Sequence, residues 1–244
     1  MFRPAVPLIS AVFAAAVCVS EPAPAQEPTV DAVLEHYVQA LGGKANLEKL
    51  TSRLATGIFE VPEWETKGPC EVYSKAPNKT MNTTDFAGYG VVARGFNGTS
   101  GWSKDPDEGL RDVSGGELAE MKRAAEFHRE LKLREQYAKM KLAGAQKLGG
   151  QDVQVIEATT PEGLLHKLYF DTQSGLLVRH DMQSEIPGGK MTTVVMLGDY
   201  RDVDGVKVPF TIEQNNPNFG FILRLKEVRH NVPVDDAKFE KPAA

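Results

Sequence analysis

The chain has 244 residues, 41% of them hydrophobic and 25% charged, with 22 glycines and two cysteines. That composition suits one or two globular domains and excludes a disordered, collagen-like or disulfide-dense chain. The formal net charge of −5 lacks the basic footprint of a nucleic-acid binder.

Residues 1–26 read MFRPAVPLISAVFAAAVCVSEPAPAQ. One positive charge, Arg3, precedes an apolar run over 6–19, and a small-residue stretch of the A-x-A type follows at Ala23-Pro24-Ala25. This pattern predicts a secretory signal peptide cut near Ala25 or Gln26. The run is shorter than the roughly 20 apolar residues that span a bilayer, which disfavours a transmembrane anchor. Val17 before Cys18 is larger than a lipoprotein signal tolerates, which disfavours a lipid anchor. Cleavage removes Arg3, Glu21 and Cys18, so the charge is unchanged and Cys70 remains as a lone cysteine. Without a partner it forms no intramolecular disulfide, and a small buried apolar role suits it.

The mature chain, 27–244, reads as one domain in the order helix, strands, helix, strands. Thr29 caps a helix carrying Val30, Val33, Leu34, Tyr37, Val38 and Leu41 at helical spacing, which Gly42-Gly43 ends. A short helical piece over 44–50 follows. From Thr51 the period becomes two, with strands near 69–75, 78–86, 90–96 and 99–104. The stretch 114–137 reads as a single helix, with Ser114 and Glu117 as a capping box and charged residues on its wet face.

Strands are then expected near 139–148, 152–160, 164–171, 176–185, 190–202, 206–215 and 220–231, joined by short Gly-containing turns such as Asp204-Gly205. Connections this short force antiparallel pairing. The expectation is a sheet of roughly ten strands, large enough to curl. Val206, Val208, Phe210 and Ile212 alternate with polar neighbours, as do Phe221, Leu223 and Leu225. One face of the sheet is therefore apolar and the other wet. The apolar face is covered either by helices as a plain core or by helices together with an enclosed apolar ligand; periodicity does not separate the two.

Catalytic signatures are absent. The histidines 36, 128, 166, 180 and 230 stand apart, with no HExxH, no CxxC and no GxSxG elbow. The reading is non-catalytic, with no metal and no cofactor. A hydrolase with a dispersed triad is the least favoured option, and a His–Asp pair beside a Ser would revive it.

Five motifs in order resemble a known family. They are Glu71-Val72-Tyr73-Ser74-Lys75-Ala76-Pro77-Asn78, Phe96-Asn97-Gly98-Thr99-Ser100-Gly101-Trp102, and Asp171-Thr172-Gln173-Ser174-Gly175-Leu176. The hairpin from Tyr200 through Asp204-Gly205 to Pro209 and the tail from Asp235 through Phe239 to Pro242 complete the set. Together they resemble the bacterial outer-membrane lipoprotein-sorting family of LolA-like periplasmic carriers. The resemblance implies an α+β fold: a single curved antiparallel sheet, an incomplete β-barrel, with helices covering its concave face and an apolar cavity between.

It further implies a soluble periplasmic protein, monomeric, that binds lipid or an acylated protein and meets inner- and outer-membrane envelope proteins, with no nucleic acid among its partners. Cavity residues expected on this basis are Leu34, Phe59, Trp102, Met121, Phe170, Phe210, Ile212, Phe221, Leu223 and Leu225, each equally at home in an ordinary core. The alternative is an envelope scaffold with a filled core that docks a partner protein. One position departs from the family: Ala76 stands where carriers have an Arg that ties the lid to binding, and Lys75 should point to the opposite strand face.

Overall fold

The computed structural model describes residues 28–186 and 188–243. The expected signal peptide and Cys18 lie outside the described residues. Among those described, no helix is long and apolar enough to cross a membrane.

The chain opens with helices α1 (Val30–Ala40) and α2 (Lys44–Glu48), then strands β1 (Ser52–Val61), β2 (Thr66–Lys75), β3 (Lys79–Phe86), β4 (Gly90–Phe96), β5 (Gly101–Asp105) and β6 (Gly109–Val113). Helix α3 (Gly115–Ala125) leads to β7 (Lys139–Leu148), β8 (Gln151–Thr159), β9 (Leu165–Asp171) and β10 (Leu177–Ile186). The last strands are β11 (Gly189–Val203), β12 (Val206–Asn215) and β13 (Gly220–His230).

All thirteen strands form one antiparallel sheet in the order β6-β5-β4-β3-β2-β1-β13-β12-β11-β10-β9-β8-β7. Two meanders, β1 to β6 and β7 to β13, thus meet at a single seam, β1 against β13. The sheet is curved and does not close, leaving β6 and β7 as edges. The expected fold class is the one found, with β6 as a further strand that five weakly patterned residues did not announce.

At the seam the register shifts between Thr56 and Gly57, a bulge that adds local twist. A side chain at Gly57 would collide with the Arg224 carbonyl of β13, so only glycine permits this approach. Because strands alternate in direction, the turns after β1, β3, β5, β8, β10 and β12 fall at one end of the sheet, called the rim below. Helices α1 and α2 dock near the other end. Thr29 caps α1 by accepting from the Ala32 N–H at 3.1 Å, and the Lys207 N–H donates to the Leu41 carbonyl at 2.8 Å.

The helices fill much of the concave face with side chains. Val33 and Tyr37 of α1, Leu41 at its C-cap and Leu47 of α2 pack with Phe127 and Tyr137 against Ile156, Leu168, Phe170, Val208, Phe210 and Val228. Tyr37 meets Phe170 edge-on at 5.2 Å between ring centroids. Each such fully buried side chain contributes about 1.5–3 kcal/mol.

The expected single helix over 114–137 is shorter. Helix α3 ends at Ala125, and a 3-10 turn at Leu133–Gln136 follows. Ser114 makes no side-chain capping bond, and the Glu117 carboxylate pairs with Arg94 and Arg111. Beyond Ala125 the chain turns so that Phe127 and Tyr137 both enter the core, which a continuous helix could not achieve. The Phe127 N–H donates to the Pro77 carbonyl at 2.9 Å and fixes this departure.

The convex face is drier than alternation implied. Met81, Ala93 and Trp102 are sealed by Phe239 of the C-terminal segment, and Val153, Val155 and Tyr169 form a second patch.

Candidate functional site

Register builds an apolar row across the concave face. Leu197 of β11 pairs with Ile212 of β12, Ile212 with Leu223 of β13, and Leu223 with Phe59 of β1. Directly opposed residues share a face, so these four side chains stand in line. Phe221 stacks on Phe59 at 4.5 Å and 25°, and Phe86 meets Phe59 edge-on at 6.0 Å. Leu197 and Leu223 lean against the helix-covered core, whereas Phe59, Ile212 and Phe221 lie outside it and are half-buried. The row is therefore only partly covered towards the rim, and is called the trough below.

The sequence-predicted residues divide into three groups. Phe59, Ile212, Phe221 and Leu223 come together in the trough. Phe170, Phe210 and Leu225 are buried under the helices, and Leu34 is partly buried against the same core. Met121 lies over Gly101 at the β5 edge, away from the row. Trp102 is on the convex face, where its Nε1–H donates to the Phe239 carbonyl at 3.0 Å. The pairing of Gly95 with Trp102 and of Met81 with Gly95 places it there with Met81.

Phe86 and Leu197 were missed by sequence reading. Phe86 ends a polar run, Asn82 to Asp85, and Leu197 sits in a run apolar on both faces, so neither carries a period-two signal.

A buried polar junction closes one flank. Tyr137 Oη lies 3.0 Å from His166 Nδ1 and 3.3 Å from His180 Nε2, and the two ring nitrogens are 3.3 Å apart. Burial, with the neighbouring His166 as a second cause, pushes His180 down to about 3. Burial likewise lowers His166 and raises Tyr137. The three groups are held neutral, and His166 Nε2 is buried without a hydrogen-bond partner among the described residues.

Other groups are structurally committed. His230 Nδ1 lies 3.3 Å from Asp204 Oδ2, but its Nε2 accepts from Arg53 at 3.3 Å. That His–Asp contact faces a guanidinium, where a triad needs a serine hydroxyl. Cys70 is buried opposite Gly57, and burial pushes its thiol up, away from nucleophilic use. Ala76 packs against the helix-covered core. Lys75 turns to the convex face, donating to the Val234 carbonyl at 2.8 Å and pairing with Asp236 at 2.7 Å. Among the described residues no group of three or more His, Cys, Asp or Glu is placed to hold a metal ion.

Two open depressions lie outside the row. One of about 450 Å³ sits between α1, α2 and the segment after α3, lined by Glu35, Val38, Lys44, Glu48, His128 and Lys132 among others. The other, about 400 Å³, is lined by Arg179, Thr192, Val194, Met196 and Glu213 among others. Both mix charged with apolar lining, unlike the trough.

No family model matches the chain, and no curated protein matches it in sequence. Solved structures do match in shape. A DUF1329-family protein from Desulfovibrio piger is similar at a TM-score of 0.59 with 14% identity, over 86% of this chain and 97% of that one. A LolA superfamily protein from Nitrosomonas europaea is similar at 0.59 and 14%, over 88% and 99%. A Vibrio parahaemolyticus domain named for outer-membrane lipoprotein sorting is similar at 0.59 and 15%, over 85% and 96%. The curved open sheet with helices on its concave side is thus a fold shared with these structures, among them a LolA superfamily protein.

Proposed function

We propose that this chain is a non-catalytic periplasmic binding protein that carries an apolar ligand, the acyl chain of a lipid or of a lipidated protein, on the uncovered part of its concave face. The observation that supports this most is the half-buried row of Phe59, Ile212 and Phe221, which the helices leave outside the packed core, with Leu223 leaning against the edge of that core. A face of this kind gains about 0.8 kcal/mol for each ligand CH2 that it covers. The shared fold with a domain named for lipoprotein sorting supports a carrier role. The leader over 1–26, read as a cleaved signal peptide, supports the compartment. The Arg53 and Asp204 contacts of His230 and the burial of Cys70 favour binding over chemistry. Ala76 in place of an Arg means that ligand capture here is not linked to the lid by that residue.

Native mass spectrometry of protein taken from its own periplasm, with lipids retained, tests the reading together with displacement of a fluorescent fatty acid. Co-purified lipid and a micromolar fatty-acid affinity are expected. Replacing Phe59 and Leu223 by Asp should weaken that affinity at least about tenfold, because charge in the row must be desolvated. Absence of both lipid and fatty-acid binding in the unmodified protein would overturn it.

A further inference from the structure

The large hydrophobic side chains that stand exposed among the described residues are Trp64, Tyr89, Val91 and Ile186, at 64%, 43%, 47% and 37% exposure. They come from three hairpins, β1–β2, β3–β4 and β10–β11, yet all four lie at the rim, Ile186 furthest along it. Scattered exposed apolar residues need no explanation, but a cluster at one end does.

Both aromatics are held in place. The turn carrying Trp64 is fixed by the Glu65 N–H donating to the Pro62 carbonyl at 3.1 Å, with Glu65 left-handed at φ 49°. The Trp64 ring rests on Phe219 at 5.3 Å. Tyr89 donates its hydroxyl to Asp107 at 2.6 Å, which ties the β3–β4 turn to the β5–β6 turn. Rings already fixed lose little entropy on binding and serve as interface anchors.

The charge around the two aromatics is mainly acidic. Glu63 and Glu65 flank Trp64, and Asp85 and Asp107 are exposed beside Tyr89 and Val91, against Lys67 and Lys104; Glu108 is paired with Arg111 at 2.8 Å, and Glu185 and Lys190 balance beside Ile186. An anionic bilayer attracts Lys and Arg and repels such a surface. Opposite charge on a partner, by contrast, steers association and fixes register.

We propose that the rim carrying Trp64, Tyr89, Val91 and Ile186 is a docking surface for a protein partner that presents basic side chains around an apolar segment. This surface adjoins the trough, since Tyr89 meets Phe86 at 6.5 Å and Phe219, on which Trp64 rests, lies 6.1 Å from Phe221, but its docking role stands whether or not the trough holds a lipid.

The test uses the full mature chain and a synthetic peptide of Leu-Lys-Lys-Leu repeats as probe, with a Leu-Glu-Glu-Leu peptide as its mirror in charge. Vesicles of phosphatidylethanolamine and phosphatidylglycerol provide the membrane arm. Trp64 reports directly, since the chain's other tryptophan, Trp102, is buried at 4% exposure. The basic peptide should bind at micromolar concentration and shield Trp64 from acrylamide. W64S with Y89S should weaken it at least about tenfold, and E63K with E65K should do the same while admitting the acidic peptide. Fatty-acid binding should be unchanged in E63K with E65K, which leaves every ring in place and so separates failure at the rim from failure at the trough. No binding of the basic peptide, binding indifferent to these substitutions, or equal shielding of Trp64 by the vesicles would each overturn the proposal.

Discussion

Phe239 is fully buried, near the end of the chain, and closes the convex face over Trp102. Around it the segment is fixed by polar contacts: Asp236 pairs with Lys75 and Lys79 at 2.7 and 2.9 Å, and Lys241 with Asp112 at 2.9 Å. Those ion pairs are exposed and contribute little singly, so the stabilisation lies in the ring. Phe239→Ala should cost about 3–5 kcal/mol and lower Tm by about 10 °C or more, read by urea and thermal unfolding. A loss below about 1 kcal/mol would show that the tail is not packed as described. The sequence showed Trp102 and Phe239 as separate motifs; only the sheet brings them together. Alternation assigns a residue to one of two faces, not to the helix-covered one, and Trp102 fell on the other.

At the scale of elements, the junction of Tyr137, His166 and His180 ties the segment after α3 to β9 and β10. Glu120 and Arg123 of α3 and Glu162 of the β8–β9 turn are the charged groups nearest His166, and Arg129 acts on His180. Both imidazoles have folded pKa values below the ordinary one near 6.5. The unfolded chain therefore binds protons at a higher pH than the folded chain. The stability of the neutral junction is present above about pH 6.5 and lost as the pH falls towards the folded values.

Between pH 6.5 and 5, where carboxylates remain ionised, His180 alone should remove about 1 to 2 kcal/mol. H180Q should flatten the slope of stability in that window, measured by urea unfolding at a series of pH values. A slope unchanged in the variant would assign the acid sensitivity elsewhere, with His230, also lowered, next in line. None of this was legible beforehand, because residues 137, 166 and 180 belong to three separate elements. The overlong helix has the same origin: helical spacing continues past Ala125 in the sequence, but the burial of Phe127 and the Pro77 carbonyl bond outweigh it.

For the whole molecule, the seam decides cooperativity. Each meander is local and was readable from its turns, such as Asp204-Gly205, where short connections permit only antiparallel neighbours. The pairing of β1 with β13 was not readable, since no turn announces two strands so far apart in sequence. Flanked on both sides by paired strands, the amides of β1 and β13 should exchange most slowly with deuterium, and those of edge strand β6 fastest. Gly57→Val should abolish this protection on both sides of the seam together, because the added side chain meets the Arg224 carbonyl. Independent loss of protection in one meander alone would mean that the sheet is two cooperative units.

The same seam sets the order in which the chain can fold. Arg53 pairs with His230, 177 residues away, so the first strand synthesised waits for the last. Closing so long a loop costs entropy that no local contact repays, and folding dominated by such contacts is slow. A chain still emerging from the ribosome, or still threading through a membrane pore, has no partner for β1 and leaves the seam open. Completion is thereby deferred until the whole polypeptide is available, the order that the proposed export of an unfolded chain would require.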